Sequence, residues 1–254
     1  MNLLSVVIIT FNEEKNIERC LSSISKIADE IVIVDSFSTD KTVSIAESFK
    51  AQVYSKEFMG YAEQKNYANS LCTHDLILSL DADEVLSDQL IQSIIEVKNN
   101  LLFDAYELKR LTNYAGKWVY HCGWYPDKKI RLFKKSVANW AGPKLHEILI
   151  LNSDTSIGIL KGDLLHYSFH SEEDHLKQID KFTDISSLAL FNEGKKATMY
   201  HLYIKPILRF LTDYIYKLGV LDGATGLTVC KNSAYAAYLK YYKLNKKWNE
   251  HRTS

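Results

Sequence analysis

The chain has 254 residues and equal numbers of basic and acidic side chains, 31 of each, so its formal net charge is zero. That length suits one large domain or a domain with an appendage, and the composition is that of an ordinary globular protein. Cys20, Cys72, Cys122 and Cys230 lie far apart without a C-x-x-C pair, which excludes a disulfide framework or zinc knuckle and predicts a reducing compartment.

The zero balance is uneven. Residues 1–100 hold twice as many acidic as basic side chains, and 101–254 carry the compensating basic excess. The basic part suits an anionic partner or membrane surface, and no nucleic-acid partner is expected. The apolar run near the N-terminus is too short for a signal peptide, and no stretch is long enough to span a bilayer. The expected location is the cytoplasm.

Leu4–Thr10 is a β-branched, uncharged run, as expected for a strand buried on both faces of a parallel sheet. Phe11-Asn12-Glu13-Glu14 follows, and Ile17, Leu21, Ile24 and Ile27 then recur at helical spacing. Glu30–Val34 predicts a strand ending at Asp35. Ser36–Asp40 is a polar loop rich in helix-capping residues, and Lys41–Lys50 the next helix. Ala51–Tyr54, Tyr61–Leu71 and Asp75–Leu80 predict strand, helix and strand. Such alternation gives a parallel α/β sheet with right-handed crossovers, in which ligands sit beyond the carboxyl ends of the strands. Thr10 and Asn12, Asp35, and Asp81 and Asp83 mark that edge, where a nucleotide would lie.

From Asp104 the pattern changes. Ala105–Leu111 and Lys129–Phe133 read as strands around an aromatic Trp118–Asp127 segment. Ile157–Leu160 and Leu164–Tyr167 predict two more, and everything from about Glu172 reads as helix.

The stretch Leu78–Val85, L-S-L-D-A-D-E-V, ends a buried strand in three carboxylates, Asp81, Asp83 and Glu84, with no basic residue nearby in sequence. They would repel one another unless a cation sat among them, and Mg²⁺ or Mn²⁺ bound with substrate phosphates is the natural candidate. The alternative is a solvated acidic turn with Asp83 or Ser87 as a helix N-cap. The first βα turn has no glycine, which excludes a dinucleotide fingerprint and a P-loop. D-A-D-E-V also matches the nucleophile motif of haloacid-dehalogenase-like phosphatases. Those place it on their first strand, and follow it with a lysine and an aspartate pair that this chain lacks.

The V-V-I-I-T-F-N-E-E opening, I-V-I-V-D-S-F-S-T-D-K-T and D-A-D together resemble family 2 glycosyltransferases of the GT-A fold. G-K-W (116–118), G-W-Y-P-D (123–127), R-L-F (131–133), L-H-E (145–147), L-L-H-Y (164–167) and L-D-G-A-T-G (221–226) are similar to the lipopolysaccharide-core β-glucosyltransferase subgroup. The resemblance implies a Rossmann-like, mostly parallel sheet over residues 1–170, with a nucleotide half (1–100) and an acceptor half (101–170). Residues 171–254 would form a helical appendage. It implies inverting transfer of a hexose, glucose first, from a UDP-sugar to a lipid-linked saccharide such as lipopolysaccharide inner core. Another glycan or protein acceptor, or sugar-nucleotide binding without turnover, are the alternatives.

The resemblance also assigns residues. Thr10, Asn12, Glu14, Asp35 and Ser36 would line the base and ribose pocket, with Lys65, Asp81 and Ala82 at the nucleotide. Asp83 and His166 would hold Mg²⁺ or Mn²⁺, and Glu147 would be the base, with His146 and Asp127 as alternatives. Trp124, Tyr125, Asp127 and Arg131 fall on the acceptor side, the aromatic residues as a sugar platform or as core. For Thr10, Asn12 and Asp35, helix capping and turn formation remain a second reading.

In Tyr200–Leu218, Lys205, Arg209, Asp213 and Lys217 make one polar stripe at i, i+4 spacing, and most of the remaining arc is aliphatic or aromatic. Pro206 predicts a kink or fresh start. The arc would bury itself in protein or lie in the interface of an anionic cytoplasmic leaflet, aided by Lys240, Lys243, Lys246, Lys247 and Arg252.

Overall fold

The computed structural model describes residues 2–142 and 147–253. They divide into two compact units, 1–110 with 127–167, and 111–126 with 168–254. The chain passes between the units at 110/111, 126/127 and 167/168, so segment 111–126 groups with the C-terminal helices.

The first unit is a three-layer α/β arrangement. β1 (Leu4–Thr10) pairs in parallel with β2 (Glu30–Asp35) and β4 (Leu76–Asp81), and β2 with β3 (Gln52–Ser55). Helices α1 (Ile17–Ile24), α2 (Thr42–Ser48) and α3 (Tyr61–Leu71) supply the crossovers. Beyond β4 the sheet turns antiparallel through β5 (Glu84–Leu86), β6 (Ala105–Tyr114), β8 (Asp127–Lys134) and β11 (Ile157–Phe169), in the order β3-β2-β1-β4-β8-β6-β11-β5. β7 (Lys117–Val119) pairs with the outer end of β6 in the second unit. The sheet is therefore mixed, with its parallel part confined to the nucleotide half.

Alternation along β1 decides the layers. Val6 and Ile8 point to the face covered by α1, α2 and α4 (Asp88–Asn99), where they pack with Ile17, Leu21, Ala46 and Leu90. Val7 points to the other face, with α3 residues Ala62 and Ala68 and with Trp140 of a small hairpin, β9 (Ala138–Ala141) and β10 (Ile148–Leu151). Strand order reverses between β2 and β4 on either side of β1. That switch point opens a crevice at the carboxyl ends of β1 and β4, where the motif residues cluster.

The two strands expected at Ile157–Leu160 and Leu164–Tyr167 are one, β11. Gly162 keeps it continuous by taking a φ of +93°, which a side chain rarely adopts, and any Cβ there would run into the backbone of Gln89 and Leu90. The glycine marks close strand–helix approach, not a turn.

In the second unit, α5 (Glu172–Asn192) is followed by π-helical turns at Tyr200–Ile204 and Thr212–Tyr216 around α6 (Lys205–Leu211), and then by α7 (Gly223–Thr253). Pro206 stands in the first turn of α6, but Ile204 before it is already helical, so the backbone runs on from the π-helical turn without a fresh start. Tyr114, Val119, Cys122, Phe169, Val229 and Cys230 form this unit's core. Among the described residues no helix is long and apolar enough to cross a membrane.

Candidate active site

The loops after β1 and β2 are stitched together. Thr10 Oγ1 donates to Asp35 Oδ1 at 2.9 Å, and the Ser38 backbone N–H donates to Asp35 Oδ2 at 2.7 Å. Asn12, at φ +56°, donates its N–H to Ser38 Oγ and accepts from the Thr39 N–H at 2.9 Å. The Glu14 N–H donates to Asp40, and the Lys41 N–H returns a bond to the Glu14 carboxylate. Ser36 Oγ accepts from Gln64 at 3.1 Å. Asp35 is buried on the floor of this rim and spends three acceptor sites on it, leaving one lone-pair direction for a ligand. Capping and turn formation thus account for Thr10, Asn12 and Asp35 as they stand.

Two side chains overlooked in the sequence stand out at this rim: Phe11 and Phe37, 58% and 60% exposed. An aromatic residue set among Asn, Ser and Glu in a strand-end loop was their signal.

At the end of β4 the expected repulsion is relieved from within the protein. Arg131 on β8 reaches Asp81 Oδ2 at 2.6 Å and Glu84 Oε1 at 3.0 Å. Lys65 on α3 reaches Asp81 Oδ1 at 2.9 Å, and Arg110 on β6 reaches Glu84 at 3.2 Å. Burial alone would push the Asp81 carboxyl up; Arg131 and Lys65 outweigh it and hold the group well below the usual carboxylate range. The same carboxylates keep the buried Arg131 guanidinium charged, against the downward push of its desolvation. Two of the three carboxylates therefore need no metal. The inference from local sequence missed cations arriving from strands and helices far along the chain.

Arg131 is 4% exposed and its Nη2 is held by Asp81 and Glu84, so the guanidinium lies beneath the site as a structural cation; its Nε is buried without a partner among the described residues. Asp127 is held by Arg110 at 2.7 Å and Lys129 at 3.0 Å; against burial, these cations lower its pKa. Lys65, 1% exposed, also bonds Glu147 Oε1 at 2.9 Å and lies 4.6 Å from the centre of the Trp140 ring. Leu145 and His146 of the L-H-E motif lie outside the described residues. Trp124 and Tyr125 belong to the second unit. There Trp124, half-buried, packs edge-on against Tyr114 and beside Phe169 and His175 at the margin of that unit's core.

Asp83 remains. Its Oδ2 meets His166 Nε2 at 3.1 Å, with the two side chains 24% and 13% exposed. Register brings them together, because His166 on β11 stands opposite Glu84 and the Tyr167 N–H donates to the Asp83 carbonyl. Ala82, buried, spaces Asp83 from Asp81. Burial raises the Glu13 pKa, an Asn16 hydrogen bond opposes it, and nearby Asp83, Asp40 and Asp81 raise it further. Burial likewise raises the Tyr61 pKa, with Glu147 and Asp81 adding to it.

Among the described residues no group of three His, Cys, Asp or Glu side chains could hold a metal. The Asp83–His166 pair is still a fitting half-site. A carboxylate oxygen and an imidazole nitrogen converge, and Mg²⁺ or Mn²⁺ commonly completes its shell with phosphate oxygens and water. The other ring nitrogen of His166, Nδ1, is buried without a partner among the described residues.

Residues 5–135 match the model of the family described as glycosyl transferase family 2. The chain belongs to that family. This glycosyltransferase is 34% identical to an uncharacterised glycosyltransferase of Rickettsia typhi over 96% of its own length and 87% of the relative's. It is 26% identical to the lipopolysaccharide core biosynthesis glycosyltransferase LpsC of Rhizobium meliloti, covering 95% of this chain and 91% of that one. Among solved structures, Staphylococcus aureus TarS overlaps with a TM-score of 0.49 at 15% identity, over 98% of the glycosyltransferase and 92% of that chain. Family membership removes the phosphatase reading of D-A-D-E-V.

Proposed function

We infer that this glycosyltransferase moves a hexose, glucose first, from a UDP-sugar to a lipid-linked saccharide with inversion at the anomeric carbon. The observation that carries the reading is the separation of roles at the β4 end. Asp81 and Glu84 are neutralised by Arg131, Lys65 and Arg110, whereas Asp83 and His166 converge with no such cation between them. That leaves one metal-ligating pair at the switch-point crevice. The likeness to LpsC over nearly the whole chain supports an acceptor of the lipopolysaccharide-core kind.

In this reading the uracil base lies against Phe11 or Phe37 at the stitched rim, with the last acceptor site of Asp35 toward it. A divalent ion held by Asp83 and His166 would supply charge neutralisation to the departing diphosphate. The acceptor oxygen attacks the anomeric carbon from the face opposite the diphosphate. The C–O bond to phosphate breaks with its electron pair leaving on UDP, and the new glycosidic bond forms. Glu147 takes the hydroxyl proton. Lys65 holds that carboxylate in place.

The test is a thermal-shift panel of UDP, GDP, CDP and TDP, with and without Mn²⁺, on wild type and Asp83→Asn. A ligand bound only by the folded state raises its stability. UDP should stabilise wild type in a Mn²⁺-dependent way and lose that dependence in Asp83→Asn. A response to another nucleotide alone would overturn the donor, and no response to any would overturn the site. A transfer assay with UDP-glucose and UDP-galactose on a lipid-linked core saccharide then decides sugar and acceptor.

A further inference from the structure

An amphipathic helix on a globular unit ordinarily turns its apolar arc inward. In the second unit the segment through α6 does the reverse. The centre of its polar stripe is buried: Asp213 has no exposed surface and pairs with the half-exposed Arg209 and, at 2.9 Å, with Lys217. Lys205 donates to the Tyr241 hydroxyl at 2.8 Å. These residues and Lys240 line a cavity of about 550 Å³ among α5, α6 and α7, in which Asp213 is the sole lining carboxylate.

The apolar arc faces out. Tyr203, Ile204, Ile207, Leu211, Ile215 and Tyr216 are between 42% and 85% exposed, and the run of exposed apolar residues continues to Leu221. Contiguous apolar patches of this kind are rare on a protein surface without a partner.

Charge identifies the partner. Between Lys195 and Leu221 the only carboxylate in the sequence is the buried Asp213, whereas Lys195, Arg209 and Lys217 keep 63%, 48% and 36% of their side-chain surface in solvent. An aliphatic arc flanked by tyrosines, edged by cations and lacking free carboxylates matches the boundary between acyl chains and anionic headgroups. No described helix can cross a bilayer, so the segment lies on it. We propose that the second unit docks on a bilayer containing anionic phospholipid, with the Tyr200–Leu221 segment in the plane of the interface. The proposal is independent of the donor and acceptor readings.

Flotation of the full chain with vesicles of phosphatidylcholine, alone or mixed with phosphatidylglycerol, tests it without any substrate. The protein should float with the anionic vesicles and much less with the neutral ones. The double variant Ile207→Glu, Ile215→Glu should lower the floated fraction about tenfold at an unchanged melting temperature, since both positions are solvent-facing. An Ile215→Trp variant should shift its emission to the blue on adding anionic vesicles. A protein that stays at the bottom of the gradient with both vesicles overturns the proposal, and so does equal flotation of the double variant. A wild-type dimer by light scattering that the double variant abolishes, without vesicle binding, assigns the face to a second copy instead.

Discussion

The ammonium of Lys65 bonds the carboxylate of Glu147 at 2.9 Å across 82 positions of sequence, and the same nitrogen bonds Asp81 at 2.9 Å. One buried cation thus ties the last residue of β4 to the proposed base. Removing one member of a buried pair leaves an uncompensated charge, which costs about 3 kcal/mol or more when nothing replaces it. Asp81 keeps Arg131, and both carboxylates touch solvent, so Lys65→Met should cost about 2 kcal/mol, read as a lower urea midpoint at constant slope. It should also lower turnover more than it weakens donor binding, because Glu147 loses its anchor. An unchanged midpoint would mean that water replaces the ammonium at no cost.

Glu147 itself separates binding from chemistry. Glu147→Gln keeps the shape and a hydrogen-bonding oxygen for Lys65 but cannot take a proton. General bases contribute about a hundred-fold to ten-thousand-fold. Glu147→Gln should therefore lose at least about a hundred-fold in transfer rate while nucleotide-dependent stabilisation is kept. Full activity would move the base to another residue.

Much of this was legible in the sequence because the signals are local. β1, β2 and β4 are mostly apolar runs, α1 repeats every three to four residues, and a strand ending in carboxylates marks the ligand edge. What was not legible depends on partners that only folding supplies. Arg131 fell on the acceptor side only through the resemblance of R-L-F; β8 lies beside β4 and delivers its guanidinium to Asp81 and Glu84. Trp124 was open between platform and core until Phe169 and His175 packed against it. The gap between the two strands expected at Ile157–Leu160 and Leu164–Tyr167 closed because Gly162 there lets one strand pass close to α4, an approach the sequence does not name.

pH should act on the second unit through His175. Its ring is buried, with Nδ1 3.2 Å from the Tyr114 hydroxyl, and burial lowers its pKa below the ordinary 6.5 although Glu172 pulls the other way. Below that ordinary value the unfolded chain binds a proton that the folded chain resists. Stability is then full above about pH 6.5 and declines as pH falls toward the folded pKa. His175→Gln should flatten this part of the melting-temperature profile, and an identical profile in the variant would exclude His175 as the cause.

Gly162 and Gly116 share the same backbone problem in different surroundings, which makes them a controlled pair. Both have positive φ, +93° and +83°, so an alanine is strained at either. At Gly116 nothing lies within 4 Å of an added Cβ, so Gly116→Ala should cost only the conformational strain, about 1 kcal/mol. At Gly162 the Cβ would meet backbone of Gln89 and Leu90, where Ser87 caps α4 by accepting from the Leu90 N–H and also accepts from the Asp163 N–H at 3.0 Å. Backbone held at a capped helix start cannot step aside, so Gly162→Ala should cost about 3 kcal/mol in denaturant midpoint. The displacement should also travel along β11, whose His166 faces Asp83 four residues on, and weaken metal-dependent nucleotide binding. Equal losses for the two variants would show that conformation alone, and not the contact with α4, holds this strand.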